Sequence, residues 1–340
     1  MWFLPGLAAG RVGLFLRLHH AIADGVAGVA LLGAFLDLDA DPPRPPAPPG
    51  WIRAPTPSDR DLLADNLRRH GRALAVRCRS WLGRCIPASS CGEYGRQCGN
   101  PSPTSLNRPV GSDRRLAVIR GDLAQAKLIG HMHGATVNDV LIAAIAGGLR
   151  ELLSGRGEHV DELVLRAFIP VSLYHEQPGQ PRANLDGAMF VPLPVGVPDP
   201  VRRLELISVD TAERKKKARP SGGARLPGRT VQRVALQLLA LQRFMSVYAA
   251  NVPGPPVPLY FAGARLLEVF PVVPIMANVT LGIGALTYAG QFNIAAVADR
   301  DTCPDIDVFV HGMQDTLQDL TASLLIGEPS QPTPRRSLTR

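Results

Sequence analysis

The sequence predicts an α/β protein of one or two domains. Segments with the two-residue period of a strand alternate with segments of helical period along most of the chain. Its 340 residues are 46% hydrophobic, which is enough for a large core. Few aromatic residues, together with 33 glycines and 32 prolines, indicate many loops between these elements.

The first third of the chain predicts four elements: a strand at 11–18, a helix at 25–38, a proline-rich connector at 41–57 and a basic helix from 58 to about 84. Ser58 and Asp61 form the capping-box pattern at the start of the basic helix. A basic amphipathic helix is typical of a solvated helix face or of a helix that binds anionic lipid.

The remainder predicts helices at 122–133, 137–153, about 200–217, 229–244 and 304–325, and strands at 116–120, 163–171, 189–195, 260–269, 278–286 and 291–298. Thr136 and Asp139 are placed to cap the second of these helices. Gly290 supplies the positive φ of a hairpin turn between the last two strands. The polar tail, 327–340, is expected to be disordered.

Composition restricts the class of protein. The sequence has no uninterrupted apolar run of membrane-spanning length, so we expect no transmembrane helix. A net charge of +8 favours an anionic partner, such as nucleic acid, an acidic membrane surface or a phosphate-bearing ligand. The spacing of Cys78, Cys85, Cys91 and Cys98 does not fit a zinc knuckle and favours free thiols over a metal site. The cysteine count suggests a reducing compartment.

Two adjacent histidines, His19 and His20, stand where the first predicted strand meets the first predicted helix, followed by Asp24 and Gly25. Adjacent side chains on an extended backbone point in opposite directions, so the two imidazoles do not readily share one metal ion. One imidazole that faces a cavity can act as a general base near neutral pH, while the aspartate braces the turn. The sequence has no G-x-S-x-G motif. These features indicate a base that deprotonates a bound alcohol, which then attacks an activated acyl group.

The segment "HHAIADG" resembles the H-H-x-x-x-D-G motif of the coenzyme A-dependent acyltransferase superfamily. Five further segments, at 136–153, 165–173, 184–194, 250–266 and 286–305, resemble the bacterial wax ester synthase/acyl-CoA:diacylglycerol acyltransferase family in order and approximate spacing. The resemblance covers most of residues 1–326, and the cysteine-rich stretch 85–104 is unmatched.

The resemblance implies two chloramphenicol-acetyltransferase-like α/β sandwich domains with a tunnel between them. It divides the chain into a partial N-terminal domain (1–112), a C-terminal domain (113–326) and the tail (327–340). It implies that His20 is the general base, that His19 is its neighbour, that Asp24 is a structural carboxylate and that Gly25 gives the turn. Asn138 and Asp139 match the family's N-D motif, although an ordinary helix N-terminus also explains this pair.

The implied reaction moves a fatty acyl group from acyl-CoA to diacylglycerol or to a long-chain alcohol, with no metal and no bound cofactor. We expect a cytoplasmic protein in peripheral contact with a membrane or lipid droplet surface, and no nucleic-acid partner. Family members carry a further segment with a P-L-W motif before the histidines, whereas 18 residues precede His19 here, so we expect an incomplete N-terminal domain. The alternative is a non-catalytic truncated remnant that binds lipid or another protein.

Overall fold

The structure is a computed structural model that describes residues 1–19, 25–43, 56–68, 104–172, 186–217 and 245–326. Contacts within the chain divide it into two compact units. The larger unit is Met1–Asp41 with Pro101–Arg340, and the smaller unit is Pro42–Asn100.

An antiparallel hairpin opens the larger unit, with β1 at Trp2–Leu7 and β2 at Arg11–Phe15. The predicted strand therefore ends three residues earlier than expected. Helix α1 follows at Gly25–Leu32. The prediction that this helix reaches residue 38 is wrong, because Asp37 exchanges both of its backbone hydrogen bonds with Tyr260, which draws the chain into an extended conformation.

Within the smaller unit, residues 59–68 are helical. The predicted capping box is confirmed, since the backbone N–H of Ser58 donates to Oδ2 of Asp61 at 3.0 Å and the backbone N–H of Asp61 donates to Oγ of Ser58 at 3.3 Å. The rest of the predicted basic helix and the four clustered cysteines lie outside the described residues.

A six-stranded sheet forms the centre of the larger unit. Its strands are β3 (Arg114–Asp122), β4 (Val164–Ser172), β5 (Asp186–Pro194), β6 (Val247–Val252), β9 (Leu281–Tyr288) and β10 (Gln291–Asp299). They lie in the order β3-β10-β9-β6-β4-β5. The sheet is mixed, because β6 is parallel to both of its neighbours while the other pairs are antiparallel.

In the described part of the chain, four helices cover one face of this sheet: α2 (Leu123–Met132), α3 (Val137–Gly155), α4 (Pro200–Lys217) and α5 (Ile306–Ile326). Alternate strand residues and the inner faces of the helices form one continuous apolar core. Helices α3 and α5 approach closely at Gly148, where an added Cβ would lie 2.5 Å from the carbonyl oxygen of Phe309. The small residue is therefore required by the packing of these two helices.

The opposite face of the sheet is crossed at β9 by an irregular segment, residues 271–275. An added Cβ at Gly282 would lie 2.8 Å from Cγ2 of Ile275, and one at Gly284 would lie 2.5 Å from the carbonyl oxygen of Pro271. The two prolines of this segment exclude it from the hydrogen-bonded ladder, so it packs on the sheet instead of extending it.

The predicted strand at 260–269 is wrong. Ala262 and Gly263 adopt left-handed φ angles of 47° and 83°, which turn the chain after two residues. Only the short strands β7 (Tyr260–Phe261) and β8 (Ala264–Arg265) form there. The other helices and strands predicted from residue 116 onward are confirmed with shifted ends, apart from the helix at 229–244, which lies outside the described residues with the tail.

In the part of the chain that the structure describes, no single helix has both the length and the apolar character needed to cross a bilayer. The pair α2 and α3, bent by 94° at the break between them, meets that requirement only when the two helices are taken together.

Candidate active site

The histidine motif lies between β2 and α1. His19 is exposed and follows β2, whereas His20 and Asp24 lie outside the described residues. Gly25 is the first residue of α1. Beyond it, Val29 and Leu36 pack against a cluster formed by Leu259, Leu286 and Tyr288 on the sheet face opposite the helices. The chain that leaves the motif is thus fixed to the sheet near the end of β9.

The same end of the domain holds the N-terminus of α3. The other end of α3 is anchored where β10 finishes, because Arg156 bonds the carboxylate of Asp305 and the carbonyl of Thr302. Helix α3 packs antiparallel to α5 along its length. The first turn of α3 therefore lies at the end of the sheet where β6 and β9 finish.

Asp139 in that first turn is 2% exposed and uses both carboxylate oxygens. Oδ2 accepts from the backbone N–H of Thr136 at 2.8 Å and from its hydroxyl at 2.7 Å. Oδ1 accepts from the hydroxyl of Thr211 in α4 at 2.7 Å. The predicted capping box is confirmed. Asp139 thus fixes the start of α3 with one carboxylate oxygen and ties it to α4 with the other.

Asn138 differs from its neighbour. It is half-buried, and among the residues that the structure describes its side chain has no hydrogen-bond partner. An amide in the first turn of a helix can donate to a negative oxygen where the helix dipole also favours negative charge. Within the described residues, the aspartate of the N-D pair thus has hydrogen-bond partners and the asparagine has none.

A third polar residue at this end was not singled out from the sequence. Asn251 is the next-to-last residue of β6, and the Oδ1 atom of its side chain is buried with no hydrogen-bond partner. The sequence signal was its position directly before the Val-Pro-Gly-Pro turn, which stops the strand and fixes where the amide stands.

At the opposite end of the domain, Arg156 links the end of α3 to the chain after β10. Arg156 donates from Nε to Asp305 at 2.8 Å and from Nη1 to the hydroxyl of Ser105 at 2.5 Å. The hydrogen bond from Arg156 lowers the pKa of Asp305, although partial burial opposes it. Burial raises the pKa of the Cys303 thiol to about 12. Cys303 is therefore a thiol and not a thiolate near neutral pH.

Two family matches cover most of the chain. Residues 1–141 match the wax ester synthase/diacylglycerol acyltransferase catalytic domain, and residues 183–321 match the C-terminal domain of the same family. The fold and these two matches define an acyltransferase-type α/β sandwich. The chain belongs to the wax ester synthase/diacylglycerol acyltransferase family, as its sequence motifs predicted.

Relatives from Mycobacterium tuberculosis H37Rv bear the name diacylglycerol O-acyltransferase. One, Rv1760, is 29% identical over 94% of this chain and 66% of its own length. Another, tgs1, is 28% identical over 95% of this chain and 71% of its own length. The chain thus spans about two thirds of the length of these relatives.

A solved structure shows the same fold. The wax ester synthase/diacylglycerol acyltransferase from Marinobacter aquaeolei VT8 superposes with a TM-score of 0.59 at 22% identity, covering 90% of this chain and 67% of the other. The predicted fold class is confirmed by this match. The predicted roles of His20, His19 and Asp24 stay predictions.

Proposed function

We propose that this protein transfers a fatty acyl group from acyl-CoA to diacylglycerol or to a long-chain alcohol. The observation that carries the proposal is that both domains of one acyltransferase family match the chain in order, with the histidine motif inside the first match. The packing of Val29 and Leu36 beside the end of β9 supports it, because it brings the chain after the motif to the end of the sheet where Asn138 and Asn251 lie.

In the proposed mechanism, His20 takes the proton from the hydroxyl of the acceptor alcohol. The alcohol oxygen forms a bond to the thioester carbon and gives a tetrahedral oxyanion. When this intermediate collapses, the carbon–sulfur bond breaks and the proton on His20 passes to the departing sulfur, which yields an ester and free coenzyme A. We infer that Asn138 donates a hydrogen bond to the oxyanion, since it belongs to the first turn of the helix whose start Asp139 fixes.

We also propose that the protein takes its acceptor at a membrane or lipid droplet surface, because diacylglycerol and long-chain alcohols are sparingly soluble in water. Leu62, Leu63 and Leu67 are exposed on the helix at 59–68, which also carries Arg60 and Arg68. Exposed leucines suit contact with a lipid surface. Asp59, Asp61 and Asp65 outnumber the two arginines on this helix, so a preference for anionic lipid rests on the net charge of +8 of the whole chain. Flotation with vesicles should then recover more protein on anionic vesicles than on neutral ones, and equal recovery would contradict the charge argument.

The test of the activity uses the purified 340-residue chain with labelled palmitoyl-CoA, and either dipalmitoylglycerol or hexadecanol as acceptor. Free thiol is followed with a thiol reagent, and lipid products are separated by thin-layer chromatography. We expect thiol release that depends on the acceptor, with labelled triacylglycerol or wax ester as product. Lipid binding without turnover would instead establish the remnant alternative.

A further inference from the structure

The buried acceptor Oδ1 of Asn251 lacks a hydrogen-bond donor. It is the single buried side-chain nitrogen or oxygen without a partner within the described ranges. A buried acceptor that stays unpaired costs free energy, and such groups are few in native proteins and are concentrated where function requires them.

The backbone around Asn251 fixes the position of this atom. Asn251 pairs with Ala285 in the parallel ladder between β6 and β9. Just beyond it, the N–H of Gly254 donates to the hydroxyl of Thr287 at 3.1 Å. An added Cβ at Gly254 would lie 2.1 Å from the carbonyl oxygen of Thr287, so only glycine allows this approach. The strand end that carries Asn251 is therefore held against β9 both at Asn251 and at Gly254.

Asn251 also lies beside the elements of the candidate active site. The residue after it, Val252, pairs with Leu286, which belongs to the cluster that receives Val29 of α1. The N-terminus of α3 lies at the same end of the sheet. Strand side chains alternate between the two faces, so Asn251, like Ala285, lies on the face covered by the helices, whereas the cluster of Leu286 lies on the opposite face. The unpaired acceptor is therefore at the end of the sheet that holds the first turn of α3.

The chemistry of the substrates restricts which donor can reach this atom. A fatty acyl chain and a thioester carry no hydrogen-bond donor. The hydroxyl proton of the acceptor alcohol passes to the base. The pantetheine arm of coenzyme A has an amide N–H two carbon atoms away from the sulfur, and this is the donor closest to the reacting carbon.

We propose that Asn251 binds acyl-CoA by accepting a hydrogen bond from this pantetheine amide through Oδ1. The inference rests on the proposed function, because it takes acyl-CoA as the donor substrate. It adds a residue that determines how the thioester is held, at a position separate from the histidine and N-D motifs.

The test compares two acyl donors in the wild type, Asn251→Ala and Asn251→Asp. Palmitoyl-CoA has the pantetheine amide, whereas p-nitrophenyl palmitate does not; hexadecanol is the acceptor for both. For palmitoyl-CoA, Asn251→Ala should raise KM about tenfold, the effect of one lost hydrogen bond, while kcat changes little. Kinetics with the p-nitrophenyl ester should be unchanged, and Asn251→Asp, which keeps the acceptor, should recover part of the loss. A similar loss with both donors would instead place Asn251 at the oxyanion and overturn the proposal, as would no loss with either.

Asn293→Ala is the matched control, since Asn293 is also a buried asparagine but its Nδ2 already donates to Gln291 at 2.8 Å. It should lower stability without changing the ratio between the two donors. A second measurement separates this proposal from the activity itself. Coenzyme A alone should raise the Tm of the wild type more than that of Asn251→Ala, even if no acyl transfer is seen. Equal shifts, or no shift in the wild type, would overturn the role of Asn251.

Discussion

The hydroxyl of Thr211 in α4 donates a hydrogen bond of 2.7 Å to Oδ1 of Asp139 in the first turn of α3. Because Thr136 occupies the other carboxylate oxygen, this contact completes the pairing of a buried charge. Of the N-D pair, the aspartate is thus held by these contacts, whereas the side chain of Asn138 has no hydrogen-bond partner among the described residues.

Replacing Thr211 by valine should leave Oδ1 of Asp139 unpaired. We expect the free energy of unfolding to fall by about 1–3 kcal/mol, the typical cost of an unsatisfied buried group. Urea denaturation followed by circular dichroism measures this change. Thr321→Val is the control, because among the described residues the hydroxyl of Thr321 bonds only the carbonyl of Leu317 in its own helix. If the two variants lose the same stability, the Asp139 contact has no special role.

Asn138→Ala should reduce acyl transfer while the protein keeps its urea midpoint, because this side chain has no hydrogen-bond partner among the described residues to lose. Asp139→Ala should instead lower the midpoint, because it removes the cap of α3 and the contact to Thr211. Activity is measured by thiol release and stability by urea denaturation on the same preparations. A large drop in the midpoint of Asn138→Ala would argue against a role in substrate contact.

His20→Ala should lower acyl transfer by roughly a hundred- to ten-thousand-fold, the usual contribution of a general base. His19→Ala serves as the comparison and should lose less, because the family resemblance assigns the role of base to His20 and not to His19. Initial rates with palmitoyl-CoA and hexadecanol measure the loss of acyl transfer in both variants. Equal rates for the wild type and His20→Ala would rule out His20 as the base.

The ion pair between Arg156 and Asp305 should make the free energy of unfolding depend on pH in the acid range. The hydrogen bond from Arg156 holds the pKa of Asp305 below its ordinary value, so the unfolded chain takes up this proton first as pH falls. The contribution is complete above the unfolded pKa of about 3.9 and is lost as pH falls through the lower folded pKa. Asp305→Asn should therefore be less stable than the wild type at pH 7, and the difference should shrink at pH 3. A constant difference in urea midpoint between these pH values would contradict the assignment.

Cys303 should resist alkylation in the folded protein. Burial raises the pKa of its thiol to about 12, and the side chain is inaccessible. Iodoacetamide at pH 8 should therefore label Cys303 only after unfolding in urea, as mass spectrometry of the tryptic peptides would show. Rapid labelling of the native protein at Cys303 would contradict the burial of this thiol.

Local patterns predicted the elements whose residues repeat with a clear period. The alternation in β10 and the capping boxes at Ser58 and Thr136 are of this kind, because the interacting residues are neighbours in sequence. The apolar run at 260–269 misled the prediction, since left-handed angles at Ala262 and Gly263 outweigh its strand propensity.

The contacts that define the candidate site escaped prediction for a different reason. Thr211 and Asp139 are 72 residues apart, and no short-range pattern links them. The unpaired Oδ1 of Asn251 depends on which strands flank β6, which the sequence does not specify. Resemblance to a family found the motifs, whereas the pairing of their side chains required the fold.

The ladder between β3 and β10 joins residues from near residue 114 to residues near 299 along nine consecutive pairs. It crosses the division between the two family matches, since β3 falls in the first and β10 in the second. A chain cut between residues 141 and 183 would separate the edge strand β3 and at least the first turn of α3 from the remaining strands of the sheet. The two halves of this protein therefore depend on each other for folding. The two fragments would have to associate before the hydrogen bonds between β3 and β10 could form.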